Sequence, residues 1–253
     1  FTYSWNKNEI RELAANAVNP VTGEALNLTK LDIKGLGKAK YILKEGGTLG
    51  DLYTTSNLRF NDNGYVEVDK NGNLLMTDEG EDIYLGSVFP NHNLAWRNDF
   101  SYKGINLGVL FTARLGGVCY SATQANLDLY GVSEASAAAR DAGGVLINGR
   151  EMVDAQKWYQ AIGSQSGLPQ YYLYSATNVR LQELSLGYTF PRKWFRNKLG
   201  LTVSFVGRNL WMIYCKAPFD PEAVASTGLN YQGIDYFMMP SMRNLGFNVK
   251  FQF

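Results

Sequence analysis

The last stretch of the chain alternates strictly between apolar and polar side chains. From Leu245 to Phe253 every odd position is apolar, and every even position is polar or glycine. Alternation with a period of two gives a β-strand one apolar and one polar face. The segment covers roughly 20 Å if the strand is tilted by about 40°. Soluble β-sandwiches and membrane barrels both use such strands, so this segment alone leaves both folds open.

Five further segments show the same alternation. They are expected to form strands at residues 1–6, 94–102, 105–115, 177–190 and 199–214. Lys103-Gly104 predicts a tight hairpin turn, because glycine readily adopts the positive φ that such turns require. In the strand at 177–190 the apolar phase changes from odd to even positions. This change predicts a β-bulge near Gln182-Glu183, which keeps the apolar side chains on one face.

The connections between these strands alternate between long and short. Short turns are expected at 103–104 and 191–198, whereas the other connections are long and contain turn clusters, such as those at 61–64, 69–73 and 78–80. Within them, Ser121, Ser133 and Asp154 predict helix starts, and Asn148-Gly149 predicts a small hairpin. Bacterial outer-membrane barrels have tight turns on the periplasmic side and long loops outside. Face pattern and loop lengths together therefore favour a membrane barrel over a sandwich.

Six strands are too few to span a membrane alone. Lipid offers no hydrogen-bonding partner to a free strand edge, and single-chain bacterial barrels begin at about eight strands. The sequence therefore predicts an all-β fold that supplies the C-terminal six strands of a large antiparallel transmembrane β-barrel with long extracellular loops. Residues 1–253 are expected to be the C-terminal part of that barrel, with the earlier strands and a plug domain absent from this chain.

Composition excludes several other classes of protein. The chain has 24 basic and 23 acidic residues, so neither a nucleic-acid footprint nor a polybasic membrane patch is indicated. It has no run of the roughly 18 apolar residues that a membrane-spanning helix needs. Its two cysteines, Cys119 and Cys215, lie far apart in sequence and favour free thiols over a disulfide. With a single histidine, His92, neither a metal site nor a catalytic set is predicted, so we expect no cofactor and no enzymatic activity.

A series of motifs carries a resemblance to a known family. In chain order, the motifs lie at residues 5–10 (WNKNEI), 50–53 (GDLY), 99–104 (DFSYKG), 127–132 (LDLYGV), 174–191 (YSATNVRLQELSLGYTFP), 206–210 (VGRNL), 217–222 (APFDPE) and 232–243 (QGIDYFMMPSMR). Together with the terminal strand they resemble the C-terminal portion of SusC-like (SusC/RagA) TonB-dependent outer-membrane transporters. The match extends over essentially the whole chain.

The resemblance implies both an architecture and a function. Such barrels belong to the 22-stranded plugged class. Family members import oligosaccharides or peptides with a SusD-like surface lipoprotein as a lid, and they draw energy through TonB, which binds an N-terminal region absent here. On this basis residues 14–93, 116–176 and 216–240 are extracellular and contact lid or substrate, with transporter–lid pairs able to dimerise. Two alternatives are a barrel with a structural or adhesion role and a soluble carbohydrate-binding β domain.

Two groups of residues are candidates for function. Charged residues on the polar face either contact substrate or plug, or serve solvation and cross-strand ion pairing; they are Arg97, Asp99, Arg114, Arg208 and Lys250. Arg97 and Arg114, on adjacent strands, are the candidates for plug contact. Aromatic loop residues either stack on ligand or lid, or pack within the loops; they are Trp158, Tyr159, Tyr171 and Tyr172. Asp69–Asn73 begins like a calcium loop, but Gly80 stands where the bidentate glutamate belongs, which favours a solvated turn.

Overall fold

The structure is a computed structural model that describes residues 1–253 except 15, 16, 27, 78, 79, 227, 229 and 230. The strands are β1 (Thr2–Trp5), β2 (Lys30–Leu36), β3 (Ala39–Lys44), β4 (Asp51–Thr54), β5 (Ile83–Ser87), β6 (His92–Tyr102), β7 (Ile105–Leu115), β8 (Val118–Ser121), β9 (Val145–Ile147), β10 (Glu151–Val153), β11 (Leu173–Ser175), β12 (Asn178–Phe190), β13 (Gly200–Cys215), β14 (Ile234–Asp235) and β15 (Asn244–Gln252). The helices are α1 (Ala122–Leu129), α2 (Glu134–Asp141) and α3 (Ala155–Gly163).

The six predicted strands form one sheet, which we call the wall sheet. Its order is β1-β6-β7-β12-β13-β15, and every neighbouring pair is antiparallel. The strands therefore follow one another across the sheet in chain order. The sheet is open, and its two outer strands are β1 and β15. The prediction of six consecutive antiparallel strands is confirmed.

The turns of the wall sheet follow the predicted alternation of lengths. Lys103 and Gly104 both have positive φ, 48° and 88°, as a two-residue type I′ hairpin requires. Residues 191–199 join β12 to β13 through a short 3-10 turn at Arg192–Phe195. The three long connections all leave from the opposite end of the sheet.

The predicted bulge lies at Gln182. The pairing of β12 shifts between Leu181 and Glu183 against both neighbouring strands. β13 carries a second irregularity there, where Asn209 has a φ of 52°, which alternation alone did not reveal. The bulge places Leu181 and Leu184 on one face although they are three positions apart.

The apolar face of the wall sheet is exposed across its whole width. Phe247 on β15 is 79% exposed, and the rings and branched chains on the neighbouring strands are similarly uncovered. Val249 and Phe251 are further examples on β15, and examples from the other strands are Tyr3, Trp96, Phe100, Tyr102, Ile105, Leu186, Phe205 and Trp211. In a soluble domain a second layer covers such a face, because burial of apolar surface is the main driving force of folding.

The hydrophobic core lies instead in the long connections. We call these connections the cap: loop 1 (6–91), loop 2 (116–177) and loop 3 (216–243). Loop 1 holds the four-stranded sheet β2-β3-β4-β5, and loops 2 and 3 share the sheet β11-β8-β14. Fully or almost fully buried side chains from all three loops pack together, among them Tyr41, Leu52, Leu58, Ile162, Leu168 and Ile234. The cap is therefore one packed unit.

The helices of loop 2 begin where the sequence predicts. Ser121, Ser133 and Asp154 are the N-caps of α1, α2 and α3, and each side chain accepts a hydrogen bond from the backbone N–H three residues later. Asn148 and Gly149, with positive φ, form the turn between β9 and β10. Within the described parts of the chain, no helix is long and apolar enough to cross a membrane.

Candidate functional site

The polar face of the wall sheet carries a row of charges that crosses four strands. Arg97 on β6 and Arg208 on β13 both reach Glu183 on β12, at 3.5 and 3.0 Å. Arg97 also binds Asp99 through two nitrogens, at 2.9 and 3.1 Å. The two arginines therefore share one carboxylate, and the row is an ion-pair network.

The bulge at Gln182 is what makes this network possible. Along a regular strand Glu183 would share the face of Val179 and Leu181, which is apolar. The extra residue returns Glu183 to the polar face, where the register puts it opposite Arg208 on one side and Leu110 on the other. Leu110 is the single break in the alternation of β7, and Arg97 spans it to reach Glu183.

Gly108 leaves room for the charged row. A Cβ built there lies 2.5 Å from the Ser185 hydroxyl and 2.9 Å from the Asp99 carboxylate, closer than any side chain tolerates. The absence of a side chain at this position therefore lets Asp99 lie flat beside Arg97. The row is nevertheless solvated, since Arg208 is 64% exposed. Exposed pairs of this kind contribute about 0.2 to 1 kcal/mol each.

Arg114 and Lys250 lie apart from this row. Arg114 is at the cap end of β7, opposite Asn93, where it donates to the Asn93 side chain at 3.4 Å and approaches Glu222 of loop 3 at 3.8 Å. Lys250 is exposed on β15, opposite Thr202 and close to the short turns. Arg97 pairs with Leu110, four residues from Arg114, which separates the two arginines by about 13 Å along the strand. The structure therefore does not bring Arg97 and Arg114 together.

A buried cluster joins the polar face of the wall sheet to loop 3. Arg180 of β12 is only 4% exposed, and its guanidinium binds the Asp220 carboxylate at 2.9 and 3.3 Å. The same guanidinium donates to the side-chain oxygens of Asn178 and Asn209, at 3.2 and 3.4 Å, and lies 3.3 Å from Glu222. All three of its nitrogens thus have acceptors, as a buried charge requires.

Asp220 is equally well satisfied. Its carboxylate accepts hydrogen bonds from Arg180, from the backbone N–H of Glu222 and from the hydroxyl of Ser241. Burial alone raises the pKa of Asp220, but the hydrogen bonds from Arg180 and Ser241 outweigh it and hold the pKa below its ordinary value. Asp220 therefore stays ionised at neutral pH. Since Asp220 and Ser241 stand near the two ends of loop 3, we call this cluster, Asn178, Arg180, Asn209, Asp220, Glu222 and Ser241, the neck cluster.

A cavity of about 170 Å³ lies beside the neck cluster, where the three loops meet. Arg114, Asn178 and Glu222 line its polar side, and Val88, Phe89 and Val118 line its apolar side. This is a mixed polar and apolar recess at the junction of cap and wall sheet.

The four aromatic candidates occupy different environments. Tyr172 is buried, and its hydroxyl donates to Asp128 at 3.0 Å, so its ring belongs to the cap core. Trp158 and Tyr159 are half-buried and pack against that core. Tyr171 is exposed, with its ring edge-on to Trp158 at a centroid distance of 5.9 Å. The structure thus brings Trp158 and Tyr171 together and leaves Tyr171 the most accessible to a ligand.

The cysteines and the calcium-like turn form neither a disulfide nor a metal site among the described residues. Cys119 and Cys215 are free thiols, as predicted, and burial raises the pKa of Cys119 to about 12. The Asp69 carboxylate accepts hydrogen bonds from the backbone of Asn71 and Asn73, at 2.7 and 2.8 Å, and from the Asn73 side chain. It therefore closes its own turn. Among the described residues, no three His, Cys, Asp or Glu side chains lie close enough together to hold a metal ion.

Sequence reasoning missed the neck cluster as a site. Arg180, Asn209 and Asp220 all lie within the motifs that carry the family resemblance. Their only local signal is polarity where strands meet loops, for example Asp220 between two prolines. Alternation assigns a residue to a face but does not identify its partner on a distant loop.

Comparisons with known proteins agree with this architecture. No protein-family model matches the chain. The chain is 25% identical, over 281 residues, to the TonB-dependent receptor P3 of Formosa agariphila, a match that covers 99% of this chain and 26% of that protein. A chain of the RagAB peptide transporter superposes with a TM-score of 0.59 at 19% identity, over 98% of this chain and 26% of that one. RagAB in its open-open state gives 0.59 at 17% identity.

These similarities confirm the resemblance to a C-terminal portion of a SusC-like TonB-dependent transporter, and they confirm the predicted all-β fold. The chain spans about a quarter of the length of the relatives it matches. The wall sheet therefore resembles one part of a larger barrel.

Proposed function

We propose that this chain is the C-terminal part of a TonB-dependent outer-membrane importer. The importer takes up oligosaccharides or peptides together with a SusD-like surface lipoprotein that acts as a lid. In this proposal the wall sheet supplies six strands of the barrel, and the plug and the TonB-binding segment belong to other parts of the protein. The cap is extracellular, and the turns at 103–104 and 191–198 face the periplasm.

The observation that carries the proposal is the exposed apolar face of the wall sheet. Neither a second sheet nor the cap covers this continuous apolar surface. In a membrane barrel lipid covers such a surface. Aromatic residues mark both ends of this face. Trp5 and Trp211 lie toward the cap, and Tyr102, Tyr188 and Trp194 lie toward the short turns. Aromatic girdles at the two membrane interfaces are typical of outer-membrane barrels.

The polar face then lines the interior of the barrel. The charged row is solvated and its members pair with one another; they are Arg97, Asp99, Glu183 and Arg208. Such a surface suits the lining of a water-filled interior that contacts plug or cargo. Lys250 and Arg114 extend this lining toward the periplasmic and extracellular ends. In this proposal their contribution is polarity and charge pairing along the path of the cargo.

The cap is proposed to contact lid and cargo through its exposed aromatic surface. Tyr171, backed by Trp158, presents an aromatic edge of the kind that stacks on sugar rings or packs against a protein partner. Replacing Tyr171 by alanine should weaken cargo or lid binding. The equivalent change at Tyr172 should instead destabilise the cap.

Location and energy dependence together test the proposal. The full-length protein should require detergent for extraction from the outer membrane. Growth on its cargo should stop when TonB is deleted or the inner-membrane proton gradient is collapsed. Extraction without detergent would contradict the barrel. The protein could instead require detergent while its deletion, or loss of TonB, leaves uptake of every tested glycan and peptide unchanged. That result would favour the adhesion or structural alternative.

A further inference from the structure

Loop 3 is bound to both of the other loops of the cap. Its strand β14 pairs with β8 of loop 2, and Asp235 accepts a hydrogen bond from the Ser121 hydroxyl at 2.6 Å. Ser121 is also the N-cap of α1, so the same hydroxyl joins loop 3 to the first helix. The Tyr41 hydroxyl of loop 1 donates to the backbone carbonyl of Gln232. Loop 3 therefore contacts both other loops through buried side chains.

The same loop is tied to the wall sheet at its two ends. Asp220 and Ser241 hydrogen-bond to each other across the base of the loop, and Asn209 of β13 donates to Ser241 at 2.9 Å. Arg180 of β12 closes this base from the polar face of the sheet. The base of loop 3 is thus held to β12 by the buried Arg180–Asp220 ion pair and to β13 by the hydrogen bond from Asn209 to Ser241.

We propose that Arg180 is a positioning residue that, through Asp220, fixes loop 3 and with it the whole cap over the polar mouth of the wall sheet. The proposal rests on the import function for its consequence in transport, but the anchoring itself is independent of cargo. A buried arginine is suited to this role because its planar guanidinium holds a carboxylate in one orientation through two parallel hydrogen bonds. The neighbouring cavity, lined by Arg114, Asn178 and Glu222, takes its shape from the same anchor.

The anchor is tested by hydrogen exchange in the full-length protein in detergent. The variants are Arg180→Gln, Asp220→Asn and the double variant, and the control is Arg59→Gln, which breaks an exposed pair with Glu67. In the Arg180 and Asp220 variants the amides of Glu222 and Ala223, which both hydrogen-bond to Asp220, should exchange faster. The expected increase is about a hundredfold to a few thousandfold, the factor that corresponds to breaking a buried ion pair. The amides of Tyr41 and Ile42 should stay protected, and the control should match wild type.

The double variant separates a shared anchor from two independent effects. If Arg180 and Asp220 act as a unit, removing both should expose the base of loop 3 no more than removing either one. Unchanged protection in both single variants overturns the proposal. If these variants do not reach the outer membrane, Ser241→Ala removes one hydrogen bond of the same base, and protection equal to wild type in that variant overturns the proposal as well.

Uptake separates this inference from the proposed function. Arg180→Gln should reduce cargo uptake at wild-type surface abundance, and Arg180→Lys, which keeps the charge, should restore part of it. Lost protection with unchanged uptake overturns the positioning role. Absence of uptake in the wild type contradicts the import function instead, and the exchange data still decide whether Arg180 anchors the loop.

Discussion

The wall sheet and the cap use apolar residues in opposite ways. In the cap, apolar side chains such as Tyr41, Leu52 and Ile234 are buried against each other, as in a soluble domain. In the wall sheet, Phe247 and its neighbours face outward, while the polar face carries the hydrogen-bonded charges. The chain therefore places its apolar side chains inward in the cap and outward in the wall sheet. In the proposed barrel the reason is that water surrounds the cap and lipid surrounds the wall sheet. The neck cluster lies at the junction of the cap and the wall sheet.

Truncation of a buried residue in the cap should show the largest effect. Leu52 is fully buried, and Leu52→Ala should destabilise the cap by about 2 to 5 kcal/mol through lost burial and the cavity left behind. The matched change Leu245→Ala, on the apolar face of β15, where the side chain is 65% exposed, should cost much less. The free energy of unfolding gives both costs. It is measured by denaturant titration and by exchange of the amides in the region that carries each substitution. Equal losses of stability at the two sites would contradict the assignment of one side chain to a packed core and of the other to an exposed face.

A charge on each face of β15 sharpens the contrast within the wall sheet. Phe247→Arg should impair membrane insertion by about 2 to 4 kcal/mol, because the guanidinium then enters hydrocarbon. Asn248→Arg, one position away, should be tolerated, because it faces the polar side opposite Ser204. Folding yield into lipid vesicles at a series of urea concentrations provides the measurement. Similar yields for the two variants would contradict the assigned faces.

Acidification should loosen the junction between the two regions. The pKa of Asp220 is lowered in the folded protein, so its ionised form contributes stability at pH values above its ordinary pKa, about 4. That contribution falls as the pH drops below this value and is lost once Asp220 is protonated in the folded state. Protection of the Glu222 and Ala223 amides, which hydrogen-bond to Asp220, should therefore hold from pH 8 to about 5 and decline below about 4. In Asp220→Asn this decline should be absent.

Loss of a charge from the solvated row should show the smallest effect. Arg208→Gln removes one of the two partners of Glu183, and Arg97 remains beside that carboxylate. We expect a change of at most about 1 kcal/mol in stability, which shrinks further in high salt. Thermal unfolding at low and high salt checks this value. A loss of stability as large as that caused by Arg180→Gln would show that the exposed pair and the buried pair contribute equally.

The sequence predicted the wall sheet far better than the cap. Alternation located all six strands and the bulge at Gln182, because a strand with one lipid face and one wet face repeats every two residues. Capping residues such as Ser121 and Asp154 located the helix starts for an equally local reason. In loop 1 only turn clusters were identified, and the four-stranded sheet was not located, since its strands are short and one of them, β4, is buried on both faces.

The candidate sites divide along the same line. Arg97, Asp99 and Arg208 lie on one face of the wall sheet, because facing follows from position along a strand. Their shared partner Glu183 was not identified, since it depends on a register set by the bulge. The Arg180–Asp220 pair links residues 40 positions apart on different elements. Such a contact has no periodic signature in a single sequence.

The extra residue at Gln182 also constrains how the gene can change. Deleting it would remove the bulge and leave Leu181 and Leu184 two positions apart, still on one face of a regular strand. Deleting one residue outside the bulge, such as Ser185, would instead turn Leu186, Tyr188 and Phe190 to the opposite face in one step. Deleting two neighbouring residues would preserve the orientation of everything beyond. Outside the bulge, related genes should therefore vary the length of this strand by even numbers of residues, whereas their surface loops should gain and lose codons without regard to parity.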